Sequence, residues 1–179
     1  MGLLSELTYF SVHRNYITGN FPNASYFGSI PGLVNLDLYR NIFTGTVLPQ
    51  YILDMTQLTY LDIGLNYLTG SVPNTLSNMS NLLVLDICCQ DILYGGGVWD
   101  TLLLMPQLQS LNIAYNNFTG TIPADIDVFS SITYLVFFGN RFTGTIPNTM
   151  GNLTTLNVLD IAENKLQGTL PNSLGQLTR

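Results

Sequence analysis

Apolar residues recur in a fixed frame along the chain. Eight, five and three positions ahead of Asn41 stand Leu33, Leu36 and Leu38; ahead of Asn66, Leu58, Leu61 and Ile63; ahead of Asn116, Leu108, Leu111 and Ile113. The frame appears seven times, ending on Asn15, Asn41, Asn66, Gln90, Asn116, Asn140 and Asn164, at spacings of 24 to 26 residues. Every one of the frame's apolar positions is filled by an apolar residue, including Leu7, Phe10 and Val12 in the first copy and Ile132, Leu135 and Phe137 in the sixth. Alternation within each frame predicts a short strand with one side buried. Repetition of the same strand predicts parallel stacking about 4.8 Å apart.

The half after each Asn repeats as well. Phe43-Thr44-Gly45, Leu68-Thr69-Gly70, Phe118-Thr119-Gly120 and Phe142-Thr143-Gly144 share one text, usually followed by an apolar residue and Pro, as in Val72-Pro73 and Ile146-Pro147. Gly admits backbone conformations closed to other residues, and Pro fixes φ at a bend. The stretch Asn148–Thr154 is predicted to be a short helix or 3-10 turn. Asn carries two donors and an acceptor, enough to satisfy turn backbone inside the stack; Gln90, on a longer arm, is expected to fit less well. After Gln90 the Gly falls late and the Pro is missing, in Tyr94-Gly95-Gly96-Gly97-Val98-Trp99. A smaller second sheet is expected to break there. Pro31 makes a regular return helix doubtful in its own repeat.

This text, LxxLxLxxNxL followed by LtGxIP, resembles the leucine-rich repeat in its plant-type subclass, familiar from receptor-kinase ectodomains and polygalacturonase-inhibiting proteins. Similar repeats occur in algal and protist surface proteins. The resemblance implies an α/β solenoid: a right-handed curved superhelix with a parallel concave sheet and short helical or 3-10 return legs. It covers residues 1–179 as one array of about seven repeats. Met1–Leu7 aligns with Met150–Leu156, inside a return leg, and Asn172–Leu177 leads towards a further strand. The array therefore reads as an internal fragment without caps, with Leu3, Leu4, Leu174 and Leu177 poorly covered.

Composition narrows the function. Five Lys+Arg against eleven Asp+Glu leave a net charge of −6, which argues against nucleic acid, whose phosphates demand a basic face. No apolar run reaches the roughly 18 residues of a membrane span, so no membrane insertion by this segment is expected. No phosphate-cradling loop and no nucleophile elbow occurs. Asp37, Asp62 and Asp86 share one repeat position, and alternation points them to solvent about 5 Å apart. That spacing suits a carboxylate pair, but Asp is a common filler there in the plant-type motif, and the column reads as an exposed ladder. No enzyme activity and no cofactor are expected. The single histidine with two adjacent thiols makes a poor metal set; Cys88 and Cys89 read first as unpaired thiols, with a vicinal disulfide as the alternative.

The motif leaves the outward positions free to bind. Towards the amino terminus they gather Tyr9, His13, Arg14, Asp37, Tyr39, Arg40, Tyr60 and Asp62. Tyr and Arg anchor interfaces, and charge orients a partner. The resulting expectation is non-catalytic recognition of a protein, peptide or glycan on the concave face. The alternative is lateral or end-to-end assembly in an extracellular filament or matrix, with ice binding by the Thr columns a remote third. Sequons at Asn23, Asn78, Asn117 and Asn152 are glycosylation candidates, although composition produces roughly three by chance. The secreted or cell-surface assignment therefore leans mainly on the resemblance.

Overall fold

The computed structural model describes residues 6–21, 30, 32–90 and 93–177. Seven short strands, one per repeat, form a parallel main sheet: β1 (Tyr9–Ser11), β3 (Asn35–Asp37), β5 (Tyr60–Asp62), β7 (Val84–Asp86), β9 (Ser110–Asn112), β11 (Tyr134–Val136) and β13 (Val158–Asp160), neighbours in that order. The central frame residues pair in register, with Leu36 opposite Leu61, Leu61 opposite Leu85 and Leu85 opposite Leu111. All four are fully buried. The same frame residue occupies the same depth in every coil, so the stacked coils share one continuous core.

The LtG segments form the other side. β2 (Thr18–Asn20), β4 (Ile42–Thr46) and β6 (Tyr67–Thr69) make one small sheet, and β8 (Tyr94–Gly95), β10 (Asn117–Thr121), β12 (Arg141–Gly144) and β14 (Lys165–Leu166) make another. Between β6 and β8, among the described residues, a single bridge, Gly70 to Leu93, crosses. The late Gly produces the expected break. Gly45, Gly70 and Gly120 adopt φ near +100°, a region that other residues avoid, which explains the invariant Gly of this turn.

Return legs are short, as expected: α1 (Gln50–Leu53), α2 (Val98–Leu102) and 3-10 turns at Asn74–Asn78, Ile126–Val128, Asn148–Asn152 and Asn172–Gln176. Pro49, Pro73, Pro147 and Pro171 stand immediately ahead of four of them, in extended backbone. A proline there costs no helical hydrogen bond. Where the Pro is missing, α2 starts from Gly97 instead, and its Trp99 turns into the core against Phe137 (5.4 Å between ring centroids) and Phe142 (5.5 Å). The stretch Pro22–Ser29 and Pro31 lie outside the described residues, as do Leu3 and Leu4. Leu174 and Leu177 are half-buried against the core.

The polar ladder runs through this apolar stack. Asn66 is buried; its Nδ2 donates to the carbonyls of Leu38 (3.1 Å), Ile63 (3.0 Å) and Gly64 (3.1 Å), while Oδ1 accepts from the N–H of Phe43 (3.1 Å). From Asn41 onward each ladder residue thus ties its own turn to the coil before it. Gln90 departs from expectation. It is 1% exposed, donates to Ile63 (2.8 Å) and Cys88 (3.2 Å) carbonyls and accepts from Leu68 N–H (3.0 Å). Its extra methylene is absorbed and the amide reaches the same kinds of partner.

Close packing of successive legs gives a direct test. Gly151 is buried in its 3-10 turn, and a Cβ there would run into the backbone carbonyl of Ser173 in the next leg. Gly175, its equivalent one coil on, has open space where a Cβ would sit. Gly151→Ala is expected to cost about 2 kcal/mol by overpacking, read as a lower urea midpoint, and Gly175→Ala to leave the midpoint unchanged.

Candidate functional site

Outward residues of the main sheet form columns because the strands are in register. The column Asp37, Asp62, Asp86, Asn112 is not the solvent-pointing ladder anticipated. Asp37 and Asp62 are each only 9% exposed. In each Asp or Asn copy one side-chain oxygen accepts the backbone N–H two residues on: Asp37 from Tyr39 (3.1 Å), Asp62 from Gly64 (3.0 Å), Asp86 from Cys88 (2.9 Å), Asn112 from Ala114 (3.1 Å) and Asp160 from Ala162 (3.1 Å). An Asx side chain is suited to closing such a turn. The position is therefore structural first, and the carboxylates sink towards the backbone they cap.

Their second oxygens are also engaged. Asp37 Oδ2 lies 2.8 Å from His13 Nδ1 and accepts from the Ser11 hydroxyl at 3.2 Å. Asp62 accepts from the Tyr60 hydroxyl (3.4 Å), and Asp86 from the Asn112 amide (2.7 Å). Burial, followed by the nearby charge of Asp86, pushes the Asp62 carboxyl up to about 7, against the opposing hydrogen bond from Gly64. Burial also raises Asp86. The Tyr60 hydroxyl is raised well above its ordinary value by burial and the adjacent Asp62. Tyr39 is raised too, by burial and then by Cys88 and Cys89, two coils along.

The residue before each ladder position holds a left-handed backbone: Arg14 and Arg40 at φ 55°, Leu65 at 49°, Cys89 at 62°, Tyr115 at 47° and Glu163 at 51°. Such conformations cost of order 1–3 kcal/mol each, here held by the ladder and the sheet bonds on either side. The turn carries Arg14 and Arg40 to one edge, where a shallow groove of about 290 Å³ is lined by both arginines with Tyr16, Ile42 and Tyr67. Tyr16 is 89% exposed. Tyr16 and Tyr67 were not among the anticipated site residues. The signal was an aromatic directly after a ladder Asn, between it and the apolar LtG residue.

The anticipated residues separate into neighbouring groups. Ser11, His13 and Asp37 join on the first two coils, with exposed Tyr9 on the same strand as Ser11. Tyr60 and Asp62 form a second group beside Asp86, and Arg14 and Arg40 share the edge groove. Towards the carboxyl terminus the face turns apolar. Cys88, Ala114 and Val136 are buried together with Phe138 and Cys89 packed on them, and Tyr115 meets the Phe138 ring at 4.5 Å. Val136, anticipated as an outward residue, is 3% exposed because its neighbours cover it. Of the sequons, Asn78 and Asn152 are exposed on 3-10 turns, Asn117 is half-buried in β10, and Asn23 lies outside the described residues.

Seven stacked coils with a parallel strand face, an internal Asn ladder and open outward columns define a repeat solenoid whose variable surface is its concave sheet. The chain belongs to the leucine-rich repeat family: the Leucine Rich Repeat model matches residues 57–79, 107–129, 131–153 and 155–177. Receptor-like protein 39 of Arabidopsis thaliana is 36% identical over 89 residues, which are 49% of this chain and 10% of that protein. The plant peptide hormone receptor RGFR1, solved in complex with RGF2, superposes with a TM-score of 0.85 at 32% identity over 96% of this chain and 27% of its own. PEPR1, solved with AtPEP1, gives 0.83 at 34% identity over 95% and 23%. The match spans about a tenth of the receptor-like protein and about a quarter of each receptor structure.

Proposed function

We propose that this chain is part of the ligand-recognising array of a cell-surface or secreted receptor-like protein, and that it takes a protein or peptide on the amino-terminal half of its concave face and the edge that adjoins it. The observation that carries this reading is the convergence of Arg14, Arg40, Tyr16 and Tyr67 on one groove. Tyr39, half-buried, adjoins Arg40 on the same turn. Guanidinium groups offer forked donors to carboxylates of a ligand, and the tyrosines supply rigid contact area. Main-sheet strands β3 to β11 pair with neighbouring coils on both sides, so over this face side chains must supply the affinity. Structural neighbours solved with peptide ligands support the same reading. Among the described residues no helix is long and apolar enough to cross a membrane. We also place N-linked sugar at Asn78, Asn117 and Asn152, away from the main sheet.

Assembly through the flanks is the competing reading. The Thr-bearing strands fall into two separate sheets, which interrupts the flat array that side-by-side packing or ice binding would use. Panning a displayed random peptide library on the immobilised chain supplies probes for a test. Tyr39→Ala and Arg40→Ala are each expected to weaken the selected peptides about 30-fold, equivalent to about 2 kcal/mol, with the urea midpoint little changed. Thr121→Ala should leave binding as it was. Silent changes at Tyr39 and Arg40, with self-association lost in Thr121→Ala, would instead establish the flank reading.

A further inference from the structure

We propose that Cys88 and Cys89 are a reversible redox site on the concave face, closing into a vicinal disulfide when oxidised by a small disulfide such as glutathione disulfide. Consecutive side chains of an extended strand point to opposite faces, so neighbouring cysteines are normally kept apart. Here they are not: Cys89 Sγ lies 2.6 Å from Cys88 Sγ. The cause is the repeat, not the thiols. Cys89 occupies the left-handed position (φ 62°) that Arg14, Arg40, Leu65, Tyr115 and Glu163 occupy in their own coils. The alternation is broken there in every coil, and in this coil alone both residues on either side of the break carry sulfur.

The backbone of the pair is fixed on both sides. Cys88 N–H donates to Asp86 Oδ1 (2.9 Å), Cys89 N–H to the Ala114 carbonyl (2.8 Å), and the Cys88 carbonyl accepts from Leu65 N–H (3.0 Å) and the Gln90 amide (3.2 Å). The sulfurs are therefore held together before any bond forms. Access is one-sided. Cys88 is 4% exposed, packed on Ala114 and Val136, whereas Cys89 is half-buried and reachable from solvent. The preceding strand leaves room, because its equivalent residue is Gly64, where a Cβ would sit 3.0 Å from Cys88 Sγ. Cys89, the accessible sulfur, is therefore the group that meets the oxidant and Cys88, buried beside it, the resolving partner; the proximity of Cys89, followed by burial, raises the Cys88 thiol.

The chemistry balances. Cys89, as thiolate, attacks glutathione disulfide and releases one glutathione thiolate. Cys88 then attacks the Cys89 sulfur, expelling the second glutathione thiolate, and the two protons given up by the cysteine thiols are taken up by the two released glutathione thiolates. Two thiols become one disulfide and two glutathiones leave protonated. Ring closure removes the buried Cys88 thiol and pins Cys89 at the junction between the charged coils and the apolar patch. A bond between neighbours is strained relative to ordinary disulfide geometry, and strained disulfides are the readily reduced ones.

The test equilibrates the whole chain over a graded series of reduced to oxidised glutathione, quenches with acid, alkylates and reads masses. Only two wild-type species are expected: both cysteines alkylated, or neither, the latter two hydrogens lighter than the reduced, unalkylated chain and made alkylatable again by reductant. Cys88→Ala should instead accumulate glutathione on Cys89, showing that this sulfur is reachable and that its partner resolves it. Phenylarsine oxide, which bridges two thiols with loss of water, should protect both cysteines of the reduced wild-type chain from alkylation in one step. The proposal is overturned if the wild type keeps two alkylatable thiols at the most oxidising ratio. Persistent glutathione on wild-type Cys89 or a bond between chains would overturn it equally.

Discussion

Replacing Asn66 by Ala is expected to destabilise the solenoid by about 2 kcal/mol or more, because the loss leaves the buried Phe43 N–H without its acceptor and removes a donor shared by three carbonyls. Asn66 serves three carbonyls and one N–H drawn from two coils, within a core that excludes water. The carbonyls of Leu38, Ile63 and Gly64 keep their other donors, Asn41, Gln90 and Arg40 N–H, but the Phe43 N–H is left unpaired, and a buried unpaired polar group costs about 1–3 kcal/mol on its own. The control is Asn15→Ala. Asn15 donates to Val12 and His13 carbonyls in the same manner but is exposed, so water replaces it and the cost should stay below about 1 kcal/mol. Urea unfolding followed by circular dichroism measures both, and hydrogen exchange localises the damage. Protection should fall around Leu38, Phe43 and Ile63 in the Asn66 variant. Equal effects at the two positions would mean that the ladder's depth does not matter.

A second large effect is expected at Asp62, and its sign opposes the usual behaviour of carboxylates. Burial and the Asp86 charge lift its folded-state value from the ordinary 3.8 to about 7. Between those two values the folded chain holds a proton that the unfolded chain has released. Stability then falls as pH rises through this window, and above about pH 7 the full penalty of a buried charge is present. Asp62→Asn removes that charge while keeping an oxygen for the Gly64 N–H. Asn112, further along the same column, shows that the amide fits: its Oδ1 accepts from Ala114 N–H and its Nδ2 donates to Asp86. The variant should match the parent at pH 4 and exceed it by about 2 kcal/mol or more at pH 8. Urea midpoints at the two pH values check this; a difference that is the same at both would refute the buried-charge account.

Much of the architecture is legible from the one-dimensional text because a solenoid repeats one local environment. Leu36, Leu61 and Leu85 occupy the same depth since each coil presents its frame to the next at a fixed rise. The turn glycines, the prolines ahead of the return legs and the break near Gly95 follow from backbone preferences confined to a few residues. The ladder is legible for the same reason, although the fit of Gln90 is not: whether a longer arm reaches three backbone groups depends on how the turn relaxes around it. Outward residues escape this logic altogether. The frame constrains only the inward side, so nothing along the chain shows that Asp37 and Asp62 sink onto backbone N–H groups, or that Val136 disappears beneath Phe138 and Ala114. Tyr16 and Tyr67 share a groove with Arg14 and Arg40 only once coils about 25 residues long are stacked in register. Cys88 and Cys89 are adjacent in any conformation, yet their sulfurs meet because the left-handed turn breaks the strand's alternation. Local periodicity determined which residues build the stack; contacts between coils, and the turn conformation that those contacts hold, decided what its open face presents.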